Sequence, residues 1–226
     1  MPGYKQFANG AVLTADDVNS YLMSQVLVEV GSVAERDALP VRPRTVYRTD
    51  KEWAERYYPT WNATTAPKGV KTAGYYPIDH QPTFNADVPA ATLAANTEYF
   101  IGATTGTPAL PMTELEDFEN WRAPSTNPSR ITPNYEGVYR VTSWSQWNAN
   151  ATGYRAMRCR KNGAYVKAGQ QSILGTGPAA HMFAQWTTEM NGTTDYLDLA
   201  TIHTGSQDLG FSATILVEFV RPIHHG

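Results

Sequence analysis

The chain has 226 residues with 18 basic and 21 acidic side chains, a net charge of −3, and so lacks the concentrated positive charge that grips a nucleic-acid backbone. Its one cysteine, Cys159, excludes an intrachain disulfide framework and leaves the fold to packing. Aromatic residues at 12 %, punctuated by 17 Gly and 15 Pro, predict a mainly β protein of short strands and many turns. The segment from Met1 to Gln6 has neither a basic stretch nor an apolar one, and no window approaches the roughly 18 apolar residues of a membrane span. These features predict a soluble chain made in a cytoplasm, without membrane insertion.

Thr14, followed by Asp16 and Asp17, opens a short helix, with the hydroxyl as cap and the carboxylates in the positive first turn. Val18, Tyr21, Leu22 and Val26 then recur at helical spacing. One apolar face of about three turns does not stand alone in water, so these four residues are expected to dock on a partner. Ser32-Val33-Ala34-Glu35 is a capping box for a second short helix through Leu39, ended by Pro40 and Pro43. Residues 1–45 therefore read as an attachment arm. Residues 46–61, from Tyr47-Arg48-Thr49 through Trp53 to Trp61, read as a small aromatic β-hairpin. Residues 62–92, rich in Pro, Gly, Thr and Ala without a sustained period, read as a linker.

From residue 93 to 222 short β-favouring runs alternate with turns: Tyr99–Ile101, Val138–Trp144, Tyr154–Arg160, Tyr165–Lys167, Met182–Thr187, Tyr196–His203 and Phe211–Arg221. Regular spacing of this kind predicts a sandwich. In the last run Phe211, Ala213, Ile215, Val217 and Phe219 occupy one face, and Asn162-Gly163 predicts a tight hairpin turn before it. Residues 223–226 form a tail.

Two stretches resemble known families. Gly137-Val138-Tyr139-Arg140-Val141, the Arg155–Arg160 run leading into Asn162-Gly163, Asp195-Tyr196-Leu197-Asp198-Leu199 and the closing apolar strand resemble, in order, the motifs of the C1q/TNF-like jelly roll. Thr194 stands where that family carries Gly. The resemblance covers residues 93 to 222 and implies a jelly-roll sandwich that assembles as a homotrimer. Residues 10–19 (Gly10-Ala11-Val12-Leu13-Thr14-Ala15-Asp16-Asp17-Val18-Asn19), then Ala34-Glu35-Arg36-Asp37 and Tyr47-Arg48-Thr49-Asp50 before Trp61, are similar to the start of tailed-bacteriophage minor tail and fibre proteins. That similarity implies an N-terminal segment docked on a particle, with a distal β domain facing outward; the apolar face of Val18, Tyr21, Leu22 and Val26 is the expected attachment surface.

Few residues offer chemistry. The five histidines, His80, His181, His203, His224 and His225, do not pair at i, i+4 beside a carboxylate in the manner of a zinc hydrolase, and no Asp-rich calcium loop, nucleophile elbow, P-loop or dinucleotide fingerprint is present. No cofactor or metal is expected. Cys159, in phase with Met157, reads as a small buried hydrophobe. Asn62, Asn150 and Asn191 each begin an N-x-T triplet, a chance match in a chain without a signal peptide. Glu114, Glu116, Asp117 and Glu119 before Trp121 form the acidic cluster a glycosidase would need; a solvated loop is the plainer reading. Trp144 and Trp147, with Gln146 and Asn148 between and beside them, are the candidate ligand-binding residues: indole faces stack on sugars and amides hydrogen-bond hydroxyls. Tryptophans of this kind also serve as core or subunit-interface anchors, while Trp186 and Tyr196 are assigned to packing.

These observations lead to one expectation with two rivals. The expectation is a non-enzymatic virion protein, a trimeric fibre or minor tail protein assembled in the host cytoplasm, contacting other tail, baseplate or capsid proteins and binding a bacterial surface glycan. The rivals are a capsid decoration or head-fibre protein that stabilises the shell, and a surface-glycan hydrolase using Glu116 and Glu119.

Overall fold

The computed structural model describes residues 14, 28–38, 45–58, 73–78, 81–103, 109–117, 119–176 and 178–223. Val18, Tyr21, Leu22 and Val26, together with Leu39 and Trp61, lie outside the described residues. The chain divides into two compact units, one of residues 1–81 with 224–226 and one of Pro82–Ile223.

In the first unit β1 (Val28–Val30), β2 (Thr45–Arg48), β3 (Trp53–Tyr58) and β4 (Gly74–Pro77) form a sheet in the order β1-β2-β3-β4. Strands β1 and β2 are parallel, so the chain must cross over between them, and the five-residue helix α1 (Val33–Asp37) lies in that crossover. The capping box forms: Ser32, in extended conformation, accepts at Oγ from the Glu35 N–H at 3.1 Å, and the Glu35 carboxylate reaches back to the Gly31 N–H at 2.6 Å. Strands β2 and β3 are the expected hairpin. Two features differ from expectation. Val28–Val30 is a strand inside the arm, because its β-branched residues gain a ladder partner in β2 and bury Val30. Residues 74–77, expected within the linker, pair with β3, placing Tyr75 against Val30 and Val46 and edge-on to Tyr57 at 5.2 Å.

That apolar core is small, and a buried ionic network crosses the same sheet. Glu55 is 0 % exposed and takes Arg36 at 2.6 Å on one oxygen and Arg48 at 3.2 Å on the other. Arg48, 2 % exposed, also forks onto Asp50 at 2.8 and 2.6 Å. The guanidinium of Arg36 lies 4.8 Å over the Tyr75 ring. The segments Ala34–Asp37 and Tyr47–Asp50 thus supply both arginines.

The second unit contains β5 (Thr83–Leu93), β6 (Tyr99–Ile101), β7 (Ala109–Leu110), β8 (Thr113–Glu116), β9 (Arg122–Ala123), β10 (Asn127–Ile131), β11 (Glu136–Trp147), β12 (Asn150–Lys161), β13 (Ala164–Thr176), β14 (Ala180–Asn191), β15 (Leu197–His203) and β16 (Leu209–Arg221). One sheet runs β14-β11-β16-β5-β8; the other runs β13-β12-β15-β10-β9, with β6 on β15 and β7 on β6. From β11 onward the chain passes back and forth between the sheets: β11 in the first, β12 and β13 in the second, β14 in the first, β15 in the second, β16 in the first. That connectivity makes the unit a jelly-roll sandwich. The protein is mainly β, as its composition predicts.

Strand β16 sits between β11 and β5 and buries every second residue from Leu209 to Phe219, as its period requires. The Asn162-Gly163 turn forms with φ of 52° and 80°, the left-handed pair that a two-residue hairpin needs. The turn before Asp195 takes its positive φ at Gly192 (72°) and not at Thr194. The Asn191 carboxamide oxygen accepts from the N–H groups of Thr193, Thr194 and Asp195 at 2.9 to 3.0 Å, so Thr194 is accommodated.

Strand β5 corrects the linker expected over 62–92. Phe84, Ala86 and Val88 alternate inward and are buried, and the ladder to β16 shifts register between Phe211 and Ala213, opposite Ala91 and Val88. Pro89 falls within that irregularity, where the missing N–H costs no regular ladder bond. Prolines on either side of a five-residue alternation conceal its period from the sequence.

Replacing Glu55 with Ala removes the buried carboxylate that Arg36 and Arg48 share and leaves each arginine with its aspartate, Asp37 or Asp50. Urea unfolding of the full chain should show that unit destabilised by about 3–5 kcal/mol, with the jelly-roll transition unmoved.

Candidate ligand-binding face

Trp144 and Trp147 are three residues apart on one regular strand, and side chains an odd number apart point to opposite faces. Strand β11 pairs without a slip to β14 from Glu136 to Trp147, so the two indoles part company. Trp147 is 0 % exposed and sits in the sandwich core, 4.6 Å from the Phe211 ring and 5.7 Å from His203 between centroids. It is no part of a ligand platform, and that expectation is corrected.

Trp144 faces outward at 46 % exposure. Its direct cross-strand partner on β14 is Phe183, 55 % exposed, with ring centroids 5.7 Å apart at 58°. Gln146 lies on the same face between His181 of β14 and Ser212 of β16. On the far side Thr214 donates to Asp87 of β5 at 2.7 Å. Together Trp144, Phe183, Gln146, His181 and Asp87 border an open groove of ≈ 590 Å³ on the outside of the five-stranded sheet. A second groove continues past Gln146 to Asn148. The Asn148 N–H donates to Gly210 O at 2.9 Å, and its amide occupies the space a Cβ on Gly210 would fill, 2.5 Å away. The structure thus brings Trp144, Gln146 and Asn148 to one face.

Sequence reasoning missed Phe183, His181 and Asp87. Phe183 was legible: it falls out of phase with Met182 and Ala184, both buried, so the period of β14 alone turns it outward. Asp87 was hidden by the linker reading.

The acidic cluster fastens a turn. Glu114 pairs with Arg122 at 2.5 Å and Glu116 accepts from Thr83 Oγ1 at 2.8 Å. Asp117 accepts the N–H groups of Trp121 and Arg122 at 2.8 and 3.1 Å; burial raises its pKa, and these two bonds work the other way. Glu119 accepts from Asn134 at 2.9 Å, and Asn134 in turn receives the Trp121 indole N–H at 2.9 Å. Glu116 and Glu119 are held by different partners, Thr83 and Asn134, and the groove described above contains neither.

His203 is buried and its tautomer is set by its neighbours. Nδ1 accepts from the Gly205 N–H at 3.2 Å, which leaves the proton on Nε2 to donate to Leu93 O at 2.9 Å. His80, His224 and His225 lie outside the described residues. Among the described residues no three His, Cys, Asp or Glu side chains are grouped to hold a metal. Cys159 is fully buried, and burial, with the Asp198 carboxylate adding to it, pushes its thiol up to about 12.

No family model and no curated protein matches the chain. Among solved structures it is similar to the PRD1 vertex protein P5, at 11% identity over 68% of this chain and 82% of that one, with a TM-score of 0.47. It is similar to the globular domain of zebrafish complement 1qA, at 11% identity over 62% and 98% of the two chains and a TM-score of 0.38. It is also similar to Eiger TNF from S. frugiperda, at 10% identity over 64% and 96% and a TM-score of 0.37.

The two tryptophans should separate cleanly on substitution. Trp147→Ala should destabilise the jelly roll by about 3–5 kcal/mol, whereas Trp144→Ala should stay within about 0.5 kcal/mol of the wild type, both read by urea unfolding. Cys159 should resist thiol reagents at neutral pH in the native protein and react only as the chain unfolds, a result checked by following labelling across the urea transition.

Proposed function

We propose that this chain is a structural protein of a tailed-phage or phage-like virion, a homotrimeric fibre or minor tail protein that attaches through its N-terminal arm and presents the jelly roll to a bacterial surface glycan. Two things support the virion part: the order of motifs in the first 61 residues, and the ionic network that builds two of those motifs into a compact unit of their own. The observation that carries the binding part is the outward pair Trp144–Phe183, with the amide of Gln146, the imidazole of His181 and the carboxylate of Asp87 along the same groove. An apolar ring with polar groups at its edge is the arrangement that recognises a sugar, whose faces are apolar and whose rim is hydroxylated. Three such heads on one stalk convert weak single contacts into avidity.

A specific observation favours a second use of the same face. Leu216 and Val220 of β16 lie on the outer side with Trp144, extending the apolar surface past the groove as a subunit contact of a trimer would. Decoration of a capsid remains the alternative location, with the jelly roll reinforcing the shell.

Trp144→Ala and Phe183→Ala separate these readings. As a glycan platform, each variant loses host-cell binding by about tenfold or more, from stacking of about 1.5 kcal/mol per ring, while sedimentation still shows a trimer. Loss of the trimer instead makes the face a subunit contact. Particles lacking the chain that infect normally when fresh but rupture sooner on heating would identify a decoration protein.

A further inference from the structure

The groove beside Trp144 is bordered by a carboxylate, Asp87, and by no lysine or arginine. Phe183, Trp144, Thr214 and Asp87 are direct cross-strand partners in a single row over β14, β11, β16 and β5, and all four border the open space of ≈ 590 Å³. Asp87 is exposed. Thr214 Oγ1 donates to its Oδ1 at 2.7 Å, and among the described residues its Oδ2 receives no hydrogen bond and no ion pair. Arg140, further along the same face of β11, is already paired with Glu218 at 2.7 Å.

The groups of that row select a ligand in the same direction. An ionised carboxylate only accepts hydrogen bonds, and the face of an indole or phenyl ring is electrically negative. Thr214 spends its hydroxyl hydrogen on Asp87, so it turns lone pairs to the groove. A sugar bearing a carboxylate or phosphate is repelled by all of them. A neutral hydroxyl donates one hydrogen to Asp87 and leaves the charge in place, whereas an ammonium donates and neutralises it while resting against the ring. Trp144 and Asp87 stand two strand spacings apart, about 10 Å, which admits a sugar ring over Thr214.

Building on the glycan-binding reading of the same face, we propose that the groove takes an amino sugar with a free amine, its ammonium standing over Thr214 between the Trp144 ring and the Asp87 carboxylate. Gln146 and His181 form the next row of the face and are left for the sugar hydroxyls. His181 is separated from Thr214 by the whole of β11. The second groove, past Gln146 to Asn148, carries the following sugar with neutral amides alone.

The test measures, by calorimetry on the full chain, binding of a glucosamine tetramer with its amines protonated, against the N-acetylated tetramer and an oligogalacturonate. The amine form should bind about fivefold or more tighter than the acetylated form, from an exposed ion pair and a cation–π contact acting together, and the uronate should bind more weakly than either. Asp87→Asn should bring the two tetramers level. Asp208→Asn removes the same charge from an exposed loop outside both grooves and should keep the preference. The proposal is overturned if the amine tetramer does not bind, if the acetylated tetramer or the uronate binds the wild type as well, or if Asp87→Asn keeps the preference. Equal loss in both variants also overturns it, since the net charge of −3 would then be the attraction. A wild type that prefers the acetylated or acidic oligomer, and loses host-cell binding with Trp144→Ala, overturns the amino-sugar inference alone; a Trp144→Ala variant that loses the trimer overturns the glycan reading with it. The wild-type comparisons stand should a variant fail to fold.

Discussion

The parity of β11 and β16 is the constraint on which the rest of the jelly roll depends. β11 runs through twelve consecutive residue pairs with β14 without a slip, and β16 alternates buried and half-exposed residues from Leu209 to Phe219. A shift of one residue in either strand would turn a row of large apolar side chains out to solvent. The same parity assigns Trp147 to the core and Trp144 to the surface. The candidate binding face is therefore a by-product of core packing: its aromatic pair is where it is because the odd-numbered residues of β11 are committed inward.

The two units deal with buried charge in contrasting ways. In the N-terminal sheet Glu55 lies between two arginines and Asp50 meets one of them in a fork, so each charge has a geometrically matched partner and the small core around Val30, Val46 and Tyr75 is supplemented by a network. In the jelly roll the apolar core is large and dominated by strands of up to 13 residues, yet Arg155 is enclosed with a hydrogen bond from Nη2 to Asn150 O and, among the described residues, no ion pair. Small units gain specificity from polar networks because they have little apolar area to bury.

Much of the architecture could be read from residues. The alternation in β16, the Asn162-Gly163 turn and the capping box at Ser32 are local patterns, and each forms from its own few residues. Strand β5 was illegible because Pro82 and Pro89 broke the pattern on either side of Phe84–Val88, and its role as the neighbour of β16 rests on a bulge that only the paired strand reveals. Strand β4 was illegible for a related reason: Gly74–Pro77 has no alternation of its own and becomes a strand by pairing with β3.

By itself the sequence determined the β class, the inward face of the last strand, the hairpin turn and the burial of Cys159, because period, turn chemistry and hydrophobicity act over a few neighbouring residues. Only the tertiary structure decided which tryptophan is exposed, that Phe183, His181 and Asp87 join it, that Glu116 and Glu119 are held by separate partners, and that Arg155 is enclosed with no ion pair among the described residues. Each of those outcomes depends on which strands become neighbours, and strand neighbourhood in a jelly roll joins residues as far apart as Asp87 and Thr214, a separation no local pattern records.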